Sequence, residues 1–337
     1  IRMLQDLTGV DPKTVPLDDP ETMKLFSSAA PLGVSPDDLG FDLGTLGIPE
    51  FGTEFARQML EETKPQTFAE LVYISGLSHG TNVWLGNAQE LIKNKQATLL
   101  EVISTRDKIM NDLIYRGLPP KAAFTIMEKV RKGRSLDEED IQLMKEYEVP
   151  QWYIDSCLKI RYLFPKAHAV AYVMMGFRIA FFKVHYPEAF YAAFFTIRST
   201  DFDAELVLGG PEQLREKMKE LKAKGNEMTA KEKGLYATME VAQEAMLRGI
   251  RFLPVDLYRS DATRFLITPH GLLTPLTTIQ GLGGAAARTL VEARAEGEFY
   301  SVEDLKTRAR LSSSVIEVLA RQGCLKGLPA TNQLTLF

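Results

Sequence analysis

The sequence has little of what staples or metallates a small protein. Its two cysteines, Cys157 and Cys324, are too few and too far apart for a disulfide framework or a zinc site, and its four histidines, His79, His168, His185 and His270, fall at no metal-ligand spacing. A reducing cytoplasm is the simplest home for such a chain. No signal-peptide pattern is read at its start, and the longest apolar run, near 167–182, is interrupted by His168 and Arg178, so no membrane span is expected. An excess of basic charge is missing too: 40 Lys and Arg stand against 44 Asp and Glu, a formal charge of −4. That balance excludes a histone-like or coating protein and makes any nucleic-acid surface local. Strand patterns are scarce.

What is present is helical periodicity over a length of 337 residues, room for two or three domains. The first residue is Ile1 and a helical pattern starts almost at once, so the sequence reads as the C-terminal part of a longer chain. Residues 1–198 are helical, with the longest irregular stretch at 31–52. Thr67-Phe68-Ala69-Glu70 is a capping box for a short helix expected to end at Gly76, and Ser135-Leu136-Asp137-Glu138 is another. Pro187 suits a first helical turn and leads into the aromatic stretch 190–195, expected to be well buried. Residues 200–210 read as loop and 213–233 as a charged helix with a solvated face. Stretches 252–257 and 265–273 predict a small β element, the second broken by Pro269-His270-Gly271. We place a boundary near Thr200.

Ile279-Gln280-Gly281-Leu282-Gly283-Gly284-Ala285-Ala286-Ala287-Arg288 is the most informative run. Gly281 and Gly283 are free to take positive φ in a tight turn, and without Cβ they let a phosphate oxygen reach peptide N–H groups. A helix opening near Gly284 adds its own unpaired N–H groups and the positive end of its dipole. An ordinary helix start is the alternative reading. Over 278–328 the sequence resembles a helix-hairpin-helix module, which grips duplex backbone without reading bases. Ala287, Leu290, Val291 and Ala293 follow at helical spacing, Gly297-Glu298-Phe299 breaks the helix, and Ser301-Val302-Glu303-Asp304 opens the next. A second unit has Leu311-Ser312-Ser313-Ser314 at its hairpin, then Val315, Ile316, Val318 and Leu319, with Gly323 as the stop; it lacks the glycine pair. Acidic and basic residues nearly balance between Gly281 and Gly327, so backbone N–H groups must do much of the gripping, helped by Arg288, Arg294 and Lys306.

A second chemically distinctive run is Tyr162-Leu163-Phe164-Pro165-Lys166-Ala167-His168-Ala169-Val170-Ala171-Tyr172. Pro165 fits a first turn, and His168 and Tyr172, four apart, share a helix face beside Lys166. A cation, an imidazole and a phenol at a helix N-terminus suit the phosphates and base of a nucleotide; hydrogen-bonded core residues are the plainer alternative. Ser78-His79-Gly80-Thr81 offers hydroxyls, an imidazole and a flexible glycine, Arg106 a fork for phosphate oxygens, and Arg131, Lys132 and Arg134 either a solvated helix end or a template-strand contact. No Ser/His/Asp triad is drawn from His79, because nothing in the sequence places a carboxylate near it.

These runs, with Phe181-Phe182-Lys183-Val184-His185-Tyr186-Pro187, Ile74-Ser75-Gly76-Leu77, Asn82-Val83-Trp84, Thr105-Arg106-Asp107-Lys108-Ile109-Met110 and Val130-Arg131-Lys132-Gly133, resemble the fingers of C-family replicative DNA polymerases, specifically the PolC type of DNA polymerase III alpha subunit. Lys108 and Asn82 depart from that family's usual acids. The resemblance implies a mainly α fold: a helical fingers domain (1–200) for nucleotide and template, then 201–332 with a small β element and a tandem helix-hairpin-helix (about 275–328) on duplex DNA. It implies an incoming deoxynucleoside triphosphate (dNTP) at Ser78, His79, Gly80, Thr81, Arg106, Lys166, His168 and Tyr172, and DNA at Gly281, Leu282, Gly283, Gly284, Arg288, Arg131 and Lys132. The end, Gln333-Leu334-Thr335-Leu336-Phe337, resembles the peptide by which bacterial polymerases bind the sliding clamp, the beta subunit; other replisome subunits are further partners. No catalytic residue, metal or cofactor is assigned within this chain. Mg2+ is expected at aspartates of a palm upstream of Ile1, and Asp201-Phe202-Asp203 is read as a decoy. The competing reading is a non-catalytic helix-hairpin-helix repair protein or scaffold with a clamp tether. Glycosylases of that fold need an acid soon after the hairpin, and no matching motif follows Arg294.

Overall fold

The computed structural model describes residues 1–331. The chain forms two compact units, one of Pro12–Val184, the other of Ile1–Asp11 with the chain from His185 onward.

The first unit is helical. Its Phe68–His79 helix opens on the expected capping box, Thr67 accepting from the Glu70 N–H, but it runs past Gly76 to His79. Gly76 is no breaker here: it sits where a Cβ would lie 2.5 Å from the Ser104 carbonyl oxygen, so glycine lets two segments touch. Helices Arg106–Tyr115 and Pro120–Arg131 pair, and Glu138–Glu146 and Gln151–Lys159 follow. The second box is shifted two residues: Asp137, not Ser135, is the cap, exchanging bonds with Asp140. Helix Lys166–His185 starts directly after Pro165 and buries Ala169, Val173, Gly176, Phe177, Ala180, Phe182 and Lys183. By length and hydropathy it could cross a membrane, and it alone does among the described residues. Within the protein it holds the irregular stretch before Thr53. The fully buried Lys183 ammonium donates to the carbonyls of Gly44 (2.6 Å) and Leu46 (2.7 Å), and Phe177 stacks on Phe26, which meets Phe51 edge-on.

In the second unit, helix Pro187–Ile197 starts on Pro187 as expected and buries Phe190, Tyr191 and Phe195. Phe195 meets Phe202, Phe252 and Phe265 at 5.1–5.7 Å between ring centroids, so this helix clusters with the residues that follow it and the unit begins at His185. The stretch read as loop near 200–210 contains a 3₁₀ turn, Ser199–Asp201, and a short helix, Ala204–Leu208. Asp203 caps that helix at the Leu206 N–H, and Asp201 pairs with Arg198. The charged run is two helices, Pro211–Ala223 and Ala230–Leu247, parted at Gly225. The small sheet is present in the order β1 (Phe252–Leu253), β3 (Gly271–Leu273), β2 (Leu266–Thr268), with β1 parallel and β2 antiparallel to β3. Helices Gly284–Ala295, Val302–Arg308 and Ser313–Arg321 then enclose a separate core of Leu276, Ile279, Leu282, Leu290, Leu305 and Leu319.

Candidate functional site

Three stretches far apart in sequence meet in the first unit. The Thr81 N–H donates to the Tyr162 carbonyl (3.0 Å), and the Arg161 N–H returns a bond to the Thr81 carbonyl (3.0 Å). Gly80 makes this approach feasible, since a Cβ would stand 2.9 Å from the Tyr162 oxygen; its role is closeness, not the flexibility read from sequence. The Arg106 N–H donates to the Phe164 carbonyl (3.2 Å), and the Lys166 N–H donates to Asp107 Oδ2 (2.7 Å). Two helix N-termini, at Arg106 and Lys166, thus face a common place. The His79 ring lies 4.8 Å from Phe164 and 6.0 Å from Tyr172, nearly parallel to both, and Phe164 touches His168 edge-on. Ser78, His79, Gly80, Thr81, Arg106, Lys166, His168 and Tyr172 are therefore neighbours, with Lys166, His168 and Tyr172 exposed. Ser78 and His79 belong to the last helical turn, not to a loop.

One expectation is corrected here. A carboxylate does stand near His79: Glu50 Oε2 is 2.6 Å from Nε2. Sequence could not show it, because Glu50 comes from the irregular stretch. A relay to Ser78 still does not follow. Nδ1 lies 2.7 Å from the Ser75 carbonyl, which can only accept, so Nδ1 carries a proton and cannot take one from Ser78 at 3.0 Å.

Arg131 and Lys132 are both engaged by Glu128. Arg131 makes a forked pair with it and Lys132 stands 2.8 Å away. Hydrogen bonds from Arg131 and then Lys132 lower the Glu128 carboxyl from 4.5 to about 2, and the same bond raises Arg131. A nucleic-acid phosphate would have to compete with that carboxylate.

The hairpin of the second unit differs in detail from the sequence reading. Gly281 has φ +83°, but Gly283 is the extended N-cap at φ −71°, so one glycine, not two, needs the left-handed region. No side chain caps the helix that starts at Gly284, and the Arg288 guanidinium folds back toward that glycine. The second hairpin superposes on this pattern 29 positions on: Arg310 is left-handed (φ +53°) where Gly281 was, Leu311 is buried like Leu282, and Ser312 is the extended cap like Gly283. Ser312 Oγ accepts from the Val315 N–H, so this helix start carries a side-chain cap. Two expected helpers point elsewhere: Arg294 donates to the Leu257 carbonyl (2.8 Å) and Lys306 to Ser313 Oγ (2.8 Å). Sequence reasoning missed Arg308, which donates to the carbonyls of Ala293, Gly297 and Glu298, pairs with Asp304 and covers the Phe299 ring at 4.7 Å. It also missed Lys183 and Glu50. Gln333, Leu334, Thr335, Leu336 and Phe337 lie outside the described residues. Among the described residues no three His, Cys, Asp or Glu side chains group closely enough to hold a metal ion.

Residues 1–148 match the family model of the bacterial DNA polymerase III alpha subunit finger domain, and residues 249–334 match that of the helix-hairpin-helix motif. Over all 337 residues the chain is 58% identical to the DNA polymerase III PolC-type of Caldanaerobacter subterraneus, 57% to that of Bacillus subtilis and 56% to that of Clostridium perfringens. It spans about a quarter of the length of these curated relatives, 24%, 24% and 23%. With the fold, the hairpin and the full-length identity in agreement, the chain belongs to the PolC-type DNA polymerase III family, of which it carries a finger and helix-hairpin-helix segment.

Proposed function

We propose that this chain is the nucleotide-closing and duplex-gripping portion of a DNA-directed DNA polymerase. The observation that carries the reading is the meeting of the 78–81 helix end, the Arg106 helix start and the Lys166–Tyr172 face, which gathers cations, hydroxyls and flat rings around two helix N-termini. Lys166 and Arg106 supply charge for the triphosphate of an incoming dNTP, and Tyr172 and His168 supply surfaces for its base and sugar. Primer-template DNA is held separately: the bare N–H groups after Gly283, with Arg288 beside them, take a phosphate of the duplex. Template backbone at Arg131 and Lys132 requires displacing Glu128.

The 333–337 peptide we assign to the sliding clamp and the working place to the cytoplasm, with other replisome subunits as further partners. Transfer of the nucleotide, with its Mg2+ ions, we assign to palm residues of the full-length polymerase, so this chain alone should bind primed DNA and incorporate nothing. Replacing Arg106 or His168 by Ala in the full-length polymerase should raise the dNTP KM about tenfold or more. An unchanged KM in both variants would leave a DNA-binding scaffold as the better account.

A further inference from the structure

Glu50 sits in a backbone conformation that favours glycine, φ +71°, although it is not glycine. The chain around it leaves no freedom. Before it, Gly44 and Leu46 are held by the buried Lys183 ammonium. On either side, Pro49 and Phe51 press on helix Lys166–His185 at Gly176, where a Cβ would lie 3.1 Å from the Pro49 oxygen and 3.2 Å from the Phe51 ring. Phe51 itself is buried against Phe26. With both neighbours fixed, the Glu50 side chain points to His79 Nε2 at 2.6 Å, while the Ser75 carbonyl takes Nδ1 on the opposite edge at 2.7 Å. The imidazole is therefore gripped at both nitrogens and cannot turn. Its plane is set within 3° of Tyr172 and 25° of Phe164.

We infer that Glu50 is a positioning residue for nucleotide binding: through His79 it fixes the three-ring wall of His79, Phe164 and Tyr172, so that the ligand meets an oriented ring surface and not a free ring nitrogen. Strapping the wall to the 44–51 stretch couples its orientation to a segment outside the three stretches that meet at the site. This rests on the proposal that the wall receives the incoming nucleotide, and the test separates the two.

In the full-length polymerase, dNTP KM and kcat are measured for E50A, E50Q, H79A and the E50A/H79A pair, with each melting temperature recorded to show that the variant is folded at the assay temperature. Ala carries the same backbone cost as Glu at this φ and removes the acceptor, so E50A should raise KM about tenfold with kcat within about twofold. E50Q, whose amide can still hydrogen-bond Nε2, should restore most of the loss. The pair should be no worse than H79A alone, because both substitutions remove one contact. E50A at the wild-type KM beside a raised H79A, an E50Q no better than E50A, or effects that multiply in the pair would each overturn the role of Glu50 and leave the nucleotide reading standing. H79A at the wild-type KM would overturn both.

Discussion

Gly281 and Gly283 look equivalent in the sequence and are not equivalent in the structure. Only Gly281 has positive φ, and a Cβ there would meet nothing closer than Val315 Cγ2 at 3.7 Å, so its cost is conformational and not steric. Gly281→Ala should destabilise the hairpin by about 1 kcal/mol. Gly283→Ala, extended and with open space around it, should change it by no more than about 0.5 kcal/mol. Amide hydrogen exchange over 279–290 reads both, and equal losses would contradict the assignment. The glycine pattern made the hairpin legible because glycine announces backbone freedom. Arg310 adopting the same left-handed conformation announces nothing, since it closes the Val302–Arg308 helix through main-chain bonds, the Arg310 and Leu311 N–H groups donating to the Thr307 and Lys306 carbonyls. Arg308 was illegible for a related reason: its acceptors are main-chain carbonyls, present in every sequence. Removing it leaves those carbonyls without their donor, so Arg308→Ala should cost the helix-hairpin-helix about 2 kcal/mol, and Lys, which lacks the fork, should recover less than half. A measured loss within about 0.5 kcal/mol of wild type would show the carbonyls find water instead.

At the level of helices, start signals were local and stop signals were not. Thr67 and Glu70 close a box within four residues, so the start of their helix could be read directly. Gly76 was misread as an end because its reason is Ser104, which the chain brings in from another segment. The convergence of 78–81, 106 and 166–172 was likewise visible only as three separate motifs, and its cross-links are main-chain bonds with no residue signature. Three surface carboxylates, two of them in capping boxes, also carry a pH dependence. Glu128 is lowered to about 2 by Arg131 and Lys132, Asp137 to about 2 by Lys129 and the Asp140 N–H, and Glu232 to about 2 by Lys224 and Thr229. Each folded value is below the unfolded one, so the stabilisation is full above the ordinary 3.8 to 4.5 and is lost as pH falls toward 2. The urea midpoint should fall between pH 5 and pH 2.5 more steeply in the wild type than in an E128Q/D137N/E232Q variant. Parallel pH profiles for the two would mean these bonds do not hold in solution.

Taken as a whole, this chain carries a formal charge of −4, so long-range attraction to DNA is not available to it and whatever grip it has must come from a few close contacts. The helix-hairpin-helix shows how few. Arg294, Arg308 and Lys306 bond within the protein and Arg321 pairs with Glu205, which leaves Arg288, Arg310 and Lys326 without an ion pair among the described residues. Uncharged N–H groups at the first hairpin hold phosphate without adding a cation, and Ser312 already caps the second helix start. Each phosphate neutralised by a cation contributes about −0.9 to the slope of log K against log salt on duplex DNA, so this chain should show a slope of only about −2 to −4. Arg288→Ala should make the slope shallower by about 1 and weaken all duplex sequences alike, because backbone is gripped and no base edge is read. Gly281→Ala should weaken binding and leave the slope unchanged, since it displaces N–H groups and removes no charge. Fluorescence anisotropy of a labelled duplex across a salt series measures all three. A wild-type slope near −8 would instead place the grip on a basic surface that none of these residues provides.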